Sequence, residues 1–295
     1  MTNENSAHAT WPLFVMGTQR SGTTLLTRIL SAHKDIFVQN EAELPLIFDG
    51  EQEPQKIIDK IKAELIRHDN INVDNLLSEG CKIWGLKDPQ LTEHIDVLRK
   101  FLPHSKFIII LRDGRGVANS YIENKWGLGT NAYTGAQRWR KEVKQQLEFM
   151  ATMPENFFFI KFEDMVKDLE SSMREACTFL DIEFDPEMLN YNKQESYYEI
   201  KKENRHTFKK PDVVLTKKWQ QKLSRHEISV IEHVAGDLLD EFGYERVGEP
   251  ISLSSLQKAY YKVHQAIIGE IQLQYKWRRF RTKDAIKKFF KANQS

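Results

Sequence analysis

The chain has 295 residues, 29% of them charged and 40% hydrophobic, with 43 Lys and Arg against 42 Asp and Glu. That balance excludes disordered and fibrous classes and fits a soluble globular protein able to bury a large core. Cys81 and Cys177 offer no disulfide framework, the nine histidines form no metal-ligand spacing, and no apolar run is long enough to span a bilayer.

The first ten residues are polar and lack a basic–apolar leader, so no secretory signal and a cytoplasmic location are expected. The next stretch, TWPLFVMGTQRSGTTLLTRIL, covers Thr10 to Leu30. Leu13 to Met16 is a short apolar run ending at Gly17, the pattern of a buried parallel strand. From Gly22 onward Leu25, Leu26, Ile29 and Leu30 fall at helical spacing, so the intervening loop ends at a helix N-terminus. Unpaired backbone N–H groups and the helix dipole favour an anion there. The spacing is close to that of a Walker A loop, G-x-x-x-x-G-K-[ST], but Thr23 stands where the lysine belongs. The cation of the loop is Arg20, whose planar fork suits two oxygens of one phosphate or sulfate. Ser21, Thr23 and Thr24 add hydroxyls.

Further along, Cys81–Leu86 reads as a strand ending at Lys87-Asp88-Pro89, and Leu91–Phe101 as a helix. Phe107–Leu111 is a continuous apolar run, expected as a strand buried on both faces. Asn156–Phe162 gives another strand and Met165–Leu180 another helix. Strand–helix alternation predicts an α/β fold, a P-loop-type parallel sheet flanked by helices, with ligands at the carboxyl ends of its strands. Gly17, Lys87 and Arg112 each follow such an end. In KFIIILRDGRGVANSY, Arg112 leaves the strand and Ser120 lies on the helix that follows, so the two can meet one anion. Asp113, after an apolar run, also fits a Walker B aspartate, which keeps a kinase open.

The segment 251–295 carries ten Lys and Arg against Glu270 and Asp284, with apolar residues at helical spacing between them. It reads as a basic helical extension behind a domain spanning 11–250. Three readings stay open for it: a helix packed on the body, a membrane-surface helix, and a clamp for an acidic polymer. No nucleic-acid-binding module accompanies it.

GTQRSGTTLL, then KDP, then LRDGRGVANSY together resemble the sulfotransferases that use 3′-phosphoadenosine 5′-phosphosulfate (PAPS), over roughly residues 11 to 247. The motifs are most similar to the RSGTT subgroup, which includes tyrosylprotein and many bacterial sulfotransferases. The resemblance implies a loop of Gln19, Arg20, Ser21, Gly22, Thr23 and Thr24 around the 5′-phosphosulfate. It assigns Arg112 and Ser120 to the 3′-phosphate, and Lys210, with Arg205, to a lid over it. It implies Glu41 as general base, with Glu43 as the neighbour to exclude, and Arg20 and Lys87 as stabilisers of the transferring sulfuryl group. No metal is required, which accounts for the missing Walker lysine.

The pattern also departs from the family. Gln19 replaces a proline, and Asn124 stands where related enzymes have a second arginine beyond the serine, leaving Arg115 as a candidate substitute. The expected reaction is in-line sulfuryl transfer to a hydroxyl or an amine. The acceptor, set by loops such as 51–75 and 126–133, is expected to be a glycan, a lipid-linked molecule or a small molecule. The tail allows a peripheral membrane contact. The alternatives from other classes are a magnesium-dependent small-molecule or nucleotide kinase and a non-catalytic nucleotide-binding protein.

Overall fold

The structure is a computed structural model that describes residues 11–193 and 212–292. It comprises two compact units, Met1–Arg112 with Glu142–Thr216, and Asp113–Lys141 with Lys217–Ser295. In chain order the elements up to the boundary are β1 (Leu13–Met16), α1 (Thr23–Leu30), β2 (Ile36–Asn40), α2 (Leu44–Ile47), α3 (Pro54–Asp69) and α4 (Val73–Ser78). They continue with β3 (Ile83–Lys87), a 3₁₀ segment Pro89–His94, α5 (Ile95–Phe101) and β4 (Phe107–Leu111). Then come α6 (Gly114–Asn124), α7 (Ala132–Thr152), β5 (Phe157–Lys161), α8 (Phe162–Lys167) and α9 (Leu169–Leu180). After the undescribed segment lie α10 (Val213–Thr216), α11 (Trp219–Lys222), α12 (Arg225–Glu241) and α13 (Ser255–Ala292).

The first unit is built on a five-stranded, all-parallel sheet in the order β2-β3-β1-β4-β5. Each strand alternates its side chains between two cores, as the period of two requires. Leu13, Val15, Ile108 and Ile110 join α1, α8 and α9 on one face. Phe14, Met16, Trp84, Leu86, Phe107 and Ile109 join α3 and α5 on the other. Leu13 lies opposite Gly85, and a Cβ on Gly85 would sit 2.0 Å from the Leu13 carbonyl oxygen, so only glycine lets β1 and β3 pair here. The chain passes from β1 to β2 and β3 on one side, then to β4 and β5 on the other. The order therefore reverses beside β1, which opens the crevice at its carboxyl end.

The expected strand Leu13–Met16 and the expected strand Phe107–Leu111 match their observed bounds. Two expected helices are interrupted. The first turn of Leu91–Phe101 is 3₁₀, because Pro89 opens it and the Asp88 carboxylate accepts from the Gln90 N–H. Met165–Leu180 breaks at Asp168, which leaves helical geometry to cap α9 by accepting from the Ser171 N–H. Edge strand β2 had no counterpart in the sequence expectations, and most of the segment 51–75, expected as loop, is helical in α3 and α4.

In the second unit, Asp113 caps α6 by accepting from the Arg115 N–H, and Gly114 sits where a Cβ would strike Trp139 at 2.7 Å. Helix α12 opens with a reciprocal Ser224–Glu227 capping box. No helix among the described residues is long and apolar enough to cross a membrane.

Candidate active site

The loop between β1 and α1 is shaped by its glycines and by the side chain beneath it. Gly22 is the N-cap of α1 at φ 104°, a left-handed conformation, and a Cβ there would lie 2.5 Å from the Phe162 ring. The cap offers no side-chain hydrogen bond and the first turn holds no acidic residue, so the helix N-terminus presents its N–H groups and positive dipole end to the loop. Ser21 is fully buried and points its hydroxyl back to the Thr18 carbonyl, so it shapes the turn from within. The Gln19 side-chain oxygen is buried without a hydrogen-bond partner among the described residues.

Five non-glycine residues among those described have left-handed backbones: Arg20, Glu41, Asn70, Lys125 and Asp181. Asn70, Lys125 and Asp181 are the C-caps of α3, α6 and α9, where this conformation is ordinary. Arg20 at φ 74° and Glu41 at φ 65° cap no helix. Each costs roughly 1 kcal/mol or more and persists because its surroundings hold it. One lies in the loop after β1 and the other immediately follows β2, on the same rim of a parallel sheet.

Their neighbours come from the adjacent strand ends. Lys87, the last residue of β3, is completely buried, and its ammonium lies 3.2 Å from Glu41 Oε1 and 3.5 Å from Thr24 Oγ1. The Glu41 N–H donates to the Lys87 carbonyl at 2.7 Å. The next residue, Asp88, is also buried and accepts from the N–H groups of Gln90 at 2.8 Å and Ala42 at 3.4 Å. Burial pushes its carboxyl up to about 6; the nearby Lys87 opposes that shift and Glu41 adds to it. Asp88 thus ties the chain just past Glu41 to the end of β3.

Glu43 is held elsewhere. Its carboxylate meets Arg67 at 3.0 Å, and its N–H donates to Glu64 Oε1 at 3.0 Å. Burial works to raise Glu64, but its bonds to Arg67 and to the Glu43 N–H outweigh that and hold it low. Of the two glutamates, Glu41 is the one against Lys87.

On the other side of β1, Arg112 follows β4. Its guanidinium donates to the Arg20 carbonyl at 3.1 Å and lies 4.6 Å above the Phe162 ring. Phe162 therefore supports both Gly22 and Arg112, a role that the sequence did not signal beyond placing an aromatic at a strand end. Asp88 was likewise visible only as the middle of KDP. Ser120 belongs to the second unit, where Asn124 donates to its hydroxyl at 3.1 Å and to its carbonyl at 2.7 Å. Arg115 is buried among Asp113, Glu232 and the Trp219 ring, in ion pairs of 2.9 and 2.6 Å, so it is committed to the interior of that unit. Asp113 is occupied by the same network and by its cap, unlike a metal-binding Walker B aspartate. Arg205 and Lys210 lie outside the described residues. No cluster of metal-ligating side chains occurs among the described residues.

A sequence model of the sulfotransferase family matches residues 12–186. Protein-tyrosine sulfotransferase A of Caenorhabditis elegans is 23% identical over 260 residues, covering 81% of this chain and 68% of that protein. Human protein-tyrosine sulfotransferase 1 is 29% identical over 159 residues, which covers 46% of this chain and 42% of that protein. Among solved structures, the sulfotransferase domain from the curacin biosynthetic pathway superposes with a TM-score of 0.61 at 20% identity, over 80% of this chain and 99% of that one. The fold agrees with that of sulfotransferases, and the family match spans the loop, the KDP strand end and the β4–α6 junction. The chain belongs to the sulfotransferase family, the PAPS-dependent enzymes that its loop motifs resemble.

Proposed function

We propose that this chain transfers the sulfuryl group of PAPS to a hydroxyl acceptor, with Glu41 as the general base. The observation that carries this reading is the Glu41–Lys87 pair, held by a left-handed Glu41 at the rim where an anion-binding helix N-terminus opens. The residues fit the donor. The loop holds the Arg20 cation and N–H donors with no acidic side chain in the first helical turn, as a phosphosulfate requires.

PAPS supplies an activated sulfuryl group on a phosphate leaving group. The loop from Gln19 to Thr24 would hold its 5′ end, Arg112 and Ser120 its 3′-phosphate, and Lys210 and Arg205 would close over it. Glu41 accepts the proton of the acceptor hydroxyl as the new O–S bond forms. The S–O bond to the phosphate breaks, and Arg20 and Lys87 offset the charge that develops on the sulfuryl and bridging oxygens. A sulfate ester and adenosine 3′,5′-bisphosphate leave, and no redox partner is needed. Lys87 orients the Glu41 carboxylate before the acceptor enters.

The acceptor is a hydroxyl compound, a phenol or alcohol on a protein, glycan, lipid-linked or small molecule; an amine would need the same apparatus. The named relatives act on protein tyrosine, whose phenol belongs to this class.

Calorimetric titration with adenosine 3′,5′-bisphosphate, with and without EDTA and against ATP–magnesium, tests the donor half. Metal-independent binding that Arg112→Ala weakens supports it. Binding of ATP–magnesium alone would replace it with the kinase reading.

A further inference from the structure

Helix α13 runs without a break from Ser255 to Ala292, and its two faces behave differently. The inner face is fastened to the segment 126–133 of its own unit. Asn131 Nδ2 donates to the Tyr261 carbonyl at 3.0 Å, the Thr130 N–H to Gln265 Oε1 at 2.8 Å, and the Gly127 N–H to Gln272 Oε1 at 3.2 Å. Tyr261 stacks on Tyr133 at 5.5 Å, and the Lys276 ammonium lies 4.8 Å from the Trp126 ring. These contacts fix the rotation of the helix about its axis.

The outer face is left apolar and open. Leu256, Tyr260, Val263, Ile267, Ile271 and Tyr275 are each more than half exposed. Their steps of three and four residues keep them on one stripe about 30 Å long. A stripe of that size is more than the scattered apolar residues of an ordinary surface. Trp277 follows, also more than half exposed, next to the exposed Arg278 and Arg279.

Charge decides what covers this face. The helix holds ten Lys and Arg against Glu270 and Asp284. Eight of the ten lie from Lys276 onward, so a second copy laid parallel along the helix would bring two strongly cationic ends together with Asp284 as the one acid there to answer them. An anionic lipid surface meets both features at once: the stripe enters the headgroup–acyl boundary, while the basic residues meet the phosphates. Trp277 beside Arg278 and Arg279 has the mixed apolar and cationic character that settles at that boundary. We propose that the outer face of α13 docks this protein on anionic membranes. The proposal is independent of the transfer reaction.

The test is sedimentation of the full chain with vesicles of phosphatidylcholine alone or with phosphatidylserine added. Two double variants accompany it, Ile267→Glu with Ile271→Glu, and Arg278→Glu with Arg279→Glu. All four positions are exposed, and circular dichroism checks that the variants fold. Expected is binding to the anionic vesicles that falls at least tenfold in each variant, weakens with salt, and is absent on phosphatidylcholine. Absence of binding to anionic vesicles would overturn the proposal, as would binding that both variants retain. A concentration-dependent dimer in sedimentation velocity, abolished by the Ile267/Ile271 variant and without vesicle binding, would overturn it in favour of a contact between copies.

Discussion

Lys87, with no exposed surface, sets its ammonium 3.2 Å from Glu41 Oε1, while the Glu41 N–H donates back to the Lys87 carbonyl at 2.7 Å. The lysine thus orients both the side chain and the backbone of a glutamate that is itself in a left-handed conformation. Glu43, two residues on, is occupied by Arg67 and sits largely in solvent. Glu41→Gln keeps the shape and a hydrogen-bond acceptor but removes the base. It should lower kcat on the order of 100- to 10,000-fold, while adenosine 3′,5′-bisphosphate binding stays within about threefold. Glu43→Gln should leave kcat within about twofold, since it trims an exposed pair. Measured sulfate-ester formation decides between them, and a reversed order of the two variants would move the base to Glu43.

The stacking of the loop on Phe162 gives a second prediction. At Gly22 an alanine would have to adopt φ 104° with its Cβ 2.5 Å from the ring. Gly22→Ala should cost about 1–3 kcal/mol in urea unfolding and weaken bisphosphate binding, because the start of α1 must shift. Phe162→Leu should on its own weaken binding by loosening Arg112, yet in combination it should recover part of the Gly22→Ala stability. Strict additivity of the two costs would show that the ring and the glycine are not coupled.

Where the chain's local chemistry agreed with its tertiary setting, the fold was legible. FIIIL and LFVM are too apolar to be anything but buried, and both strands match the expectation residue for residue. IFVQN was not read as a strand, because it is short, lies at the sheet edge and ends in Gln39 and Asn40. Gln39 is nonetheless buried, its amide donating to Asp69 at the end of α3, a partner 30 residues away that no local pattern shows. In the site, the glycines and Arg20 stood out as a motif. The pairing of Glu41 with Lys87 needed β2 and β3 to be neighbours, and the commitment of Arg115 to Glu232 joins residues 117 apart. The resemblance to sulfotransferases supplied the names of these residues, but the contacts that orient them came only with the fold.

Asp88 makes the stability depend on pH. Burial raises its carboxyl from 3.8 to about 6. The folded state therefore holds this proton more tightly than the unfolded chain. The resulting contribution is fully present below pH about 4 and is lost as the pH rises through about 6. Two pKa units correspond to about 3 kcal/mol as an upper figure. Asp88→Asn should remove that dependence while keeping an acceptor for the Gln90 and Ala42 N–H groups. Urea unfolding at pH 4.5 and pH 7 should show the unsubstituted protein losing more stability between the two than the variant does. Parallel losses would mean that Asp88 titrates normally.

Arg115 and Arg112 should separate cleanly, although both follow β4 within four residues. Arg115 spans Asp113 and Glu232 inside the second unit, donates to the Glu245 carbonyl at 2.7 Å and stacks 4.1 Å from the Trp219 ring. Glu232 in turn accepts from the Val247 and Gly248 N–H groups, so one guanidinium joins α6, α11, α12 and the segment after α12. Removing it leaves two carboxylates buried without their cation, a loss of about 3–5 kcal/mol. Arg115→Lys restores the charge but lacks the fork that reaches both acids, and should recover less than half of that loss. Folded Arg115→Lys should bind adenosine 3′,5′-bisphosphate within about threefold of the unsubstituted protein, whereas Arg112→Ala should keep its stability within about 1 kcal/mol and bind at least tenfold more weakly. If Arg115→Lys instead folds normally and loses the bisphosphate, Arg115 is the missing second phosphate arginine and its buried ion pairs must open on binding.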